Sequence, residues 1–367
     1  MENAKIQIDR LKNAKTAIAG AIAGKGVEVP ESIKLDGYPT LIGQISTSGS
    51  GGGKSIRTCR IVVGTSKNGW TENDCDYLCD GTSDEVKIQA AIDALPEDGG
   101  EIVLLDGDYN TSAVITLKAH TTLSGGAFTS IIQTNSAADG IIAMSNCVIQ
   151  KLNLYHSTKT KAPPVHTSGI IISGSNVTVQ NNQIYNYAYS GVKISPETGT
   201  IDTIQILHNY MRLNSGDVSD GFGISFNANA KRIDIVGNYI SSFNVGIDLK
   251  GVESATISNN YFEDFQFNGV CSDANSENIK ITNNTCITTW AGLGVEISGN
   301  GFVIAQNIVL AQSETATAIK LNSDCINVLV SNNYIYGSPV TTAGKHSMVV
   351  NNIYWESREA GGGGTDN

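Results

Sequence analysis

The most regular feature of the chain is a repeated order of apolar and polar positions between residues 176 and 336. Each repeat has two apolar residues at alternate positions, a short polar pair, an asparagine, one variable residue and another apolar residue. The asparagine recurs every 22 to 29 residues, at Asn182, Asn209, Asn238, Asn260, Asn284, Asn307 and Asn333. Strand-length runs at this interval are typical of a solenoid, and the unequal intervals indicate loops of different length.

A second repeated segment fixes the register of each coil. It has Gly or Ala, an apolar residue, a variable residue and usually another apolar residue, as in GVKI at Gly191 and GVEI at Gly294. Each coil therefore has at least two short strands with alternating inward and outward side chains. The pattern predicts an all-β fold, a right-handed parallel β-helix. The asparagine row could be a ligand site, but a buried amide ladder at a turn explains it better.

The N-terminal part of the chain has a different pattern. Residues 3–23 carry Ile6, Leu11, Ala14, Ile18 and Ile22 at helical spacing, so we expect a helix, packed on its own chain or bundled with identical chains. Residues 46–54 are rich in Ser and Gly and indicate a flexible linker. The expected organisation is a small helical attachment or oligomerisation module (1–45), a linker (46–55), the β-helix (56–357) with an N-terminal cap (56–110), and a Gly-rich tail (358–367).

The cap is predicted to cover the exposed end of the first coil. The segment EVKIQAAIDAL reads as an amphipathic helix that Asp84 can cap, and the Pro and Gly residues at 96–100 end it. The segment EIVLLDGDY then reads as a buried strand. An amphipathic helix here would shield the apolar cross-section that an end coil exposes.

Two segments resemble known families. Residues 84–94 and 99–109 are similar to the opening motif of the pectate-lyase-like β-helix superfamily, in which D-x-x-x-I-Q-A-A-I-D-A precedes G-G-x-V-x-L-P-x-G-x-Y. Asp106 stands where that motif commonly has Pro. Residues 24–45 resemble a short N-terminal module of tail fibre and baseplate-associated proteins from phages and prophages of Gram-positive bacteria. The second resemblance implies a homotrimeric virion tail protein, made in the bacterial host cytoplasm, that contacts other tail or baseplate proteins through residues 1–45.

Composition excludes several other classes of protein. The net charge is −11 and the sequence pI about 4.9, without a basic patch, so we expect no nucleic-acid partner. No apolar run approaches the ~18 residues of a membrane span, and the N-terminus lacks the apolar core of a secretory signal. The seven cysteines lack zinc-site spacing, so no metal site is expected. No cofactor is expected either.

The variable residue of the second repeated segment gives one outward column: Lys193, Ser225, Asp248, Cys271, Glu296 and Lys320. Asp248 and Glu296 are two coils apart, or about 9.6 Å at the spacing of paired strands. Two carboxyl groups at roughly that separation serve as acid and base in inverting glycosidases. Alternatively, this column is a solvated face with weak surface ion pairs, since Glu296 and Lys320 are neighbours.

Aromatic residues give two further candidates. The loop at residues 214–221 carries Asp217 and Asp220, and we expect the same corner to hold Tyr187, Tyr189, Phe243, Phe265, Phe267 and Trp290. Carboxylates beside aromatic rings suit a sugar site, although the rings could instead pack the corner or meet another chain. The residues after the ladder asparagines place Tyr210, Tyr239, Tyr261 and later Tyr334 on one outward face, which suits a saccharide platform or a subunit interface.

The chain does not contain a complete group of the catalytic residues that enzymes of this superfamily use. A lyase would need a catalytic Arg facing carboxylates, but Arg212 and Arg232 have no clear acidic ladder beside them. Asp220–Gly221 is only a fragment of the polygalacturonase set. The sequence therefore favours a phage or prophage tail protein that binds bacterial surface polysaccharide. The alternative is a polysaccharide depolymerase, a hydrolase or lyase, that acts through carboxylates on the β-helix surface.

Overall fold

The structure is a computed structural model, which describes residues 2–23, 28–30, 32–34, 38, 59–157, 166–196, 199–213, 221–227, 229–288, 293–311, 317–336, 340–342 and 344–355. Internal contacts divide the chain into two units, residues 1–57 and 58–367. The predicted linker at 46–54 and the Gly-rich tail at 358–367 lie outside the described residues.

The first unit contains one long helix, α1, at Glu2–Ala23. This agrees with the helix expected over residues 3–23. Ile22 is buried, and so is Tyr38, whose hydroxyl donates a hydrogen bond to the Lys15 carbonyl at 3.3 Å. Leu11 and Ile18 remain exposed on the same helix. The apolar stripe of α1 is therefore covered only in part by the described residues of this unit.

The second unit consists mainly of short strands. The first seventeen are β1 Arg60–Thr65, β2 Tyr77–Cys79, β3 Gly100–Leu104, β4 Gly107–Thr111, β5 Ile115–Leu117, β6 Thr121–Gly125, β7 Thr129–Gln133, β8 Ile141–Ala143, β9 Val148–Gln150, β10 Asn153–His156, β11 Ser168–Ile172, β12 Val177–Gln180, β13 Gln183–Tyr185, β14 Ser190–Ile194, β15 Ile201–Leu207, β16 Tyr210–Arg212 and β17 Phe222–Phe226. The others are β18 Ala230–Val236, β19 Tyr239–Ser241, β20 Val245–Leu249, β21 Val252–Ser258, β22 Tyr261–Glu263, β23 Asn268–Ser272, β24 Glu277–Thr282, β25 Thr285–Thr288, β26 Leu293–Ile297, β27 Val303–Ala305, β28 Ile308–Ala311, β29 Ile319–Leu321, β30 Leu329–Ser331, β31 Tyr334–Tyr336, β32 Thr341–Thr342, β33 Met348–Val350 and β34 Ile353–Trp355.

These strands form three parallel sheets of 13, 11 and 10 strands. Every third strand from β3 onward belongs to the same sheet, so the thirty strands β3–β32 make ten coils of three strands. We call the sheets that contain β3, β4 and β5 the first, second and third sheet. The structure confirms the predicted parallel β-helix, with three strands in each coil.

The core is a stack of inward apolar side chains. Ile204, Ile233, Ala255 and Ile279, for example, occupy the same position of the first sheet in successive coils and are all buried. Burial of such a branched aliphatic side chain contributes about 1.5–3 kcal/mol. Each coil buries its apolar side chains against the coils on either side of it, and the core is therefore continuous along the stack.

The predicted asparagines occupy one buried column at the turn between the first and second sheets. From Asn209 onward, the Oδ1 atom of each accepts two hydrogen bonds from the preceding ladder asparagine, as when Asn209 donates from its backbone nitrogen and its Nδ2 to Asn238 Oδ1 at 2.9 and 3.0 Å. Asn209 Nδ2 also donates to the Val179 carbonyl at 2.9 Å. Because these side-chain donors and acceptors are used within the protein, the column stabilises the turn.

The column is longer than the sequence repeat indicated. Leu152 begins it by donating from its backbone to Asn182 Oδ1, and Asn352 continues it beyond Asn333. The residue before each of the eight asparagines has a φ between 53° and 69°. Most of these preceding residues are Asn or Gly, which adopt left-handed backbone more readily than other residues.

The helix of the N-terminal cap, α2, spans Glu85–Asp93 and buries Ile88, Ala91 and Ile92. Asp84 does not cap it through the side chain, contrary to the sequence expectation. The Asp84 carboxylate instead accepts hydrogen bonds from the backbone nitrogens of Gly81 and Asn110, both at 2.8 Å. One of these nitrogens belongs to a turn and the other to β4, both outside the helix, and Asp84 therefore connects the cap to the first coil.

Candidate functional site

The column predicted for the third sheet is present in the observed register, but Ser225 and Asp248 are buried and not on the open surface that the sequence indicated. Lys193 pairs with Ser225, Ser225 with Asp248, Asp248 with Cys271, Cys271 with Glu296, and Glu296 with Lys320. Strands β14, β17, β20, β23, β26 and β29 each contribute one of these residues. Asp248 and Glu296 are two strand steps apart, about 9.6 Å at the usual spacing.

Asp248 is held by two neighbours. Its Oδ2 lies 2.7 Å from Lys250 Nζ, and its Oδ1 accepts a hydrogen bond from the Cys271 thiol at 3.4 Å. Burial raises the pKa of the Cys271 thiol well above its usual range, and the charge of Asp248 raises it further. The thiol is therefore a proton donor to Asp248 and not a thiolate nucleophile.

Glu296 is a charged group in a polar cage. Its carboxylate accepts hydrogen bonds from Lys320 at 2.6 Å and from the amides of Asn322 and Asn268 at 3.3 Å. Partial burial by itself would raise the pKa of this carboxyl group, but the hydrogen bonds from Lys320, Asn322 and Asn268 outweigh it, and the pKa lies below its usual value. A general acid of a glycosidase needs a raised pKa, so this arrangement favours ligand contact over proton donation by Glu296.

Three of the aromatic residues expected on the surface are inside the coil. Tyr187, Phe243 and Phe265 are only 1–2% exposed and belong to the core. Each follows a residue with left-handed backbone, Asn186, Ser242 or Asp264, and is buried at the corner between the second and third sheets. The expectation that these three side chains bind a ligand on the surface was wrong, because the turn reverses the alternation that holds within a strand.

The outward aromatic residues next to them form a small cluster at the edge of the third sheet. Tyr189 lies edge-on to His166 and to Phe222, with ring centroids 5.0 and 5.5 Å apart. Lys193 Nζ lies 5.3 Å from the Tyr189 centroid, and Lys250 Nζ lies 5.9 Å from the Phe222 centroid. Because Lys250 also pairs with Asp248, the cluster is linked directly to the outward column.

Phe267 is 59% exposed. Its backbone nitrogen donates to the Asn244 carbonyl at 2.8 Å, which fixes its position just before β23. Asp217, Asp220 and Trp290, which the sequence places on this corner, lie outside the described residues. We call Tyr189, Phe222, Phe267 and the outward column together the third-sheet surface.

The predicted tyrosine column lies on the outer face of the second sheet. Tyr210, Tyr239 and Tyr261 are register partners, with centroids 4.6 and 5.4 Å apart and interplanar angles of 5° and 6°. Their faces therefore cover one another, and a sugar ring needs an open face for stacking. Burial raises the pKa of Tyr239 to about 12, and its hydrogen bond to Glu263 acts in the same direction. This geometry fits cross-strand packing better than a saccharide platform.

The same sheet face becomes apolar toward the C-terminal coils. Ile308, Tyr334 and Ile353 continue the tyrosine column in β28, β31 and β34. Ile308 is 42% exposed and Ile353 is 62% exposed, and Tyr334 contacts the exposed Trp355 edge-on at 6.1 Å. We call Ile308, Tyr334, Ile353 and Trp355 the second-sheet apolar face.

Within the described ranges, no group of three or more His, Cys, Asp and Glu side chains is placed to hold a metal ion. None of the helices in the described part of the chain is both long and apolar enough to span a bilayer. All seven cysteines are free thiols.

Comparisons with known proteins agree with this architecture. A family model described as a right-handed beta helix region matches residues 130–309. No curated protein matches the sequence. The chain is a right-handed parallel β-helix, as both the family match and the sheet topology establish.

Several solved structures have the same fold at low sequence identity. The Dettilon tailspike protein has a TM-score of 0.59 at 11% identity over 76% of this chain, and the match spans 60% of the tailspike. A mutant tailspike of E. coli bacteriophage HK620, in complex with a pentasaccharide, has a TM-score of 0.54 at 12% identity over 74% of this chain and 61% of that protein. PfbA, a surface adhesin of Streptococcus pneumoniae, has a TM-score of 0.51 at 16% identity over 76% of this chain and 89% of its own.

Proposed function

We propose that this protein is a phage or prophage tail component that binds bacterial cell-surface polysaccharide through the third-sheet surface. The main support for this proposal is that outward aromatic rings lie beside carboxylate, amide and ammonium groups on one sheet face. Tyr189 and Phe222 adjoin Lys250 and Asp248, and Glu296 lies two coils further along. Aromatic rings stack on the apolar faces of sugars, while the polar groups bond their hydroxyls.

The resemblance to tailspikes supports the location at a virion tail, and the pentasaccharide complex of the HK620 tailspike supports the ligand class. Residues 1–45 are proposed to attach the protein to other tail or baseplate proteins. The second-sheet apolar face is proposed to join three copies of the chain. Exposed Ile353 and Trp355 favour this role, since contiguous apolar surface commonly marks a protein contact.

The test is retention of purified bacterial surface polysaccharides on the immobilised protein. Phe267→Ala is expected to weaken retention about two- to tenfold, the value of one aromatic contact. Val86→Ala is the matched control, because Val86 is 63% exposed but lies on α2. Equal effects of the two substitutions, or no retained polysaccharide in a panel that includes the host's own, would contradict the proposal.

Depolymerase activity is the second candidate, favoured by the shared column of Asp248 and Glu296 at about 9.6 Å. The same polysaccharides are incubated with the protein, and new reducing ends and unsaturated uronates are followed. Cleavage that is lost in both Asp248→Asn and Glu296→Gln would establish the enzyme. Retention without cleavage would establish binding alone.

A further inference from the structure

A cavity of about 880 Å³ lies beside the N-terminal cap, on the outer face of the second sheet. Its floor follows one outward column of β4, β7, β10 and β13, occupied by Asp108, Ser130, Asn153 and Gln183. Three steps of about 4.8 Å make this polar column about 14 Å long. The same column continues as the stacked tyrosines from Tyr210 onward. The cavity is therefore on a different sheet from the third-sheet surface.

One wall of the cavity is a single exposed aromatic ring. Phe128 is 80% exposed, although its backbone is fixed on both sides. Its nitrogen donates to Asp106 Oδ1 at 2.9 Å, and its carbonyl accepts from the Gly107 nitrogen at 2.9 Å. Because the backbone is fixed, only the two side-chain torsions of Phe128 need to be ordered when its open ring contacts a ligand.

The loop that carries Phe128 is shaped by close backbone approach. A Cβ atom on Gly126 would lie 2.1 Å from Asp106 Oδ1, and one on Gly125 would lie 2.3 Å from the Lys151 carbonyl. Gly126 also donates from its nitrogen to Thr129 Oγ1 at 2.8 Å. The two glycines allow the loop to pack against neighbouring coils and hold the Phe128 ring at the rim.

The floor offers unused hydrogen-bonding capacity. Asn153 Oδ1 is buried and accepts no hydrogen bond from the described residues, and its Nδ2 makes only a long contact of 3.4 Å with Ser130 Oγ. The covered Oδ1 is out of a ligand's reach, but the weakly bonded Nδ2 can donate to an oxygen atom that enters the cavity. A hydroxyl group, which both donates and accepts, matches such an amide.

Charge selects the class of ligand. The ionisable side chains that line the cavity are Asp108 and Lys151, one of each sign, and the other polar side chains are neutral amides and hydroxyls. This lining offers no cluster of cations to a phosphate or nucleic acid. Neutral hydroxyls with an apolar ring face are the chemistry of a neutral saccharide.

We propose that this cavity is a second saccharide site, which binds a neutral stretch of polysaccharide along the helix axis with one sugar ring against Phe128. This second-site proposal rests on the proposed function only in taking the saccharide to be part of a bacterial surface polysaccharide. A tail protein with two sites on different sheets binds one polysaccharide more tightly than either site does, provided the glycan reaches both.

The experiment is hydrogen exchange of the full chain with neutral hexasaccharides of glucose, mannose and N-acetylglucosamine at millimolar concentration. Slower exchange at residues 125–130 is expected with at least one of them. Phe128→Ala should weaken that protection about two- to tenfold. Asn153→Leu, which removes the side-chain amide at similar volume, should also weaken it. Val86→Ala is the control, because Val86 is 63% exposed but lies on α2 and does not line the cavity.

The two proposals fail separately. Absence of protection at residues 125–130 with all three hexasaccharides, or protection that Phe128→Ala leaves unchanged, overturns the second site. Loss of polysaccharide retention in Phe267→Ala concerns only the third-sheet surface. A protein that protects residues 125–130 but retains no surface polysaccharide would keep the second site and overturn the proposed function.

Discussion

Asn238 and Asn260 are joined by two hydrogen bonds to one atom: the backbone nitrogen and the Nδ2 of Asn238 donate to Asn260 Oδ1 at 2.9 and 3.0 Å. The same Nδ2 also donates to the Ile206 carbonyl at 2.8 Å. Both protons of this side-chain amide are thus used inside the protein. The asparagines from Asn182 to Asn333 all donate in this way to the next member of the column, so removal of one internal side chain affects two neighbouring coils.

Asn238→Ala should lower the free energy of unfolding by about 3–5 kcal/mol, since it leaves the two donors of Asn209 and the Ile206 carbonyl unsatisfied at buried sites. Urea unfolding measures the loss. Asn73→Ala, at an exposed turn, should change stability by less than about 0.5 kcal/mol. A similar, small effect of both substitutions would mean that the column contributes little.

Substitution of Phe265 should destabilise the protein far more than substitution of Phe267, although the two residues are only two positions apart. Phe265→Ala removes a buried ring and should cost about 3–5 kcal/mol of unfolding free energy. Phe267→Ala removes an exposed ring and should change stability by less than about 0.5 kcal/mol. Thermal and urea unfolding of the two variants measure the difference. A larger loss of stability in Phe267→Ala than in Phe265→Ala would contradict the assignment of Phe265 to the core.

The carboxylate of Glu296 should stabilise the protein at neutral pH and lose this effect in acid. Its pKa is lowered in the folded chain, so its contribution is present above the unfolded value of about 4.3 and disappears as pH falls through the folded pKa. Unfolding free energies of wild type and Glu296→Gln, measured by urea at a series of pH values, should differ by a constant amount near neutrality and converge below that value. A difference that persists or grows in acid would refute the assigned shift.

The second-sheet apolar face predicts an oligomer that one charge disrupts. If the chain forms the proposed trimer, Ile308→Glu should convert it to monomers in sedimentation analysis, because a buried unpaired carboxylate opposes association. Ile326→Glu is the control, since Ile326 is also 42% exposed but pairs with Asn300 and Lys345 away from that face. A wild-type monomer, or equal effects of both substitutions, would overturn the proposed trimer contact.

Features that recur in every coil could be read from the sequence. The outward column from Lys193 to Lys320 has the predicted register because strands of successive coils pair without slippage. The left-handed residues at Asn186, Ser242 and Asp264 were not anticipated, and they reverse the side to which Tyr187, Phe243 and Phe265 point. A small polar residue before a bulky ring, at the same distance after Asn182, Asn238 and Asn260, was an available signal.

Features that occur once could not be read in this way. Phe128 belongs to a loop without a counterpart in the other coils, and the cavity beside it depends on how that loop packs against Asp106. The carboxylate of Asp84 precedes a helix, as capping residues do, but the backbone nitrogens that it bonds come from 3 residues before it and 26 residues after it. Local sequence does not determine which of several nearby donors a buried carboxylate meets.

The asparagine column also sets how this architecture can change in length. Its amides all point the same way along the axis, from Leu152 toward Asn352, and every internal step presents the same donors and the same acceptor to the next coil. A whole coil can therefore be duplicated or deleted at an internal step without a mismatch in the column. The number of asparagines therefore corresponds to the number of coils in this part of the stack. Evolution can move a binding surface closer to or further from the N-terminal cap in increments of one coil, about 4.8 Å each.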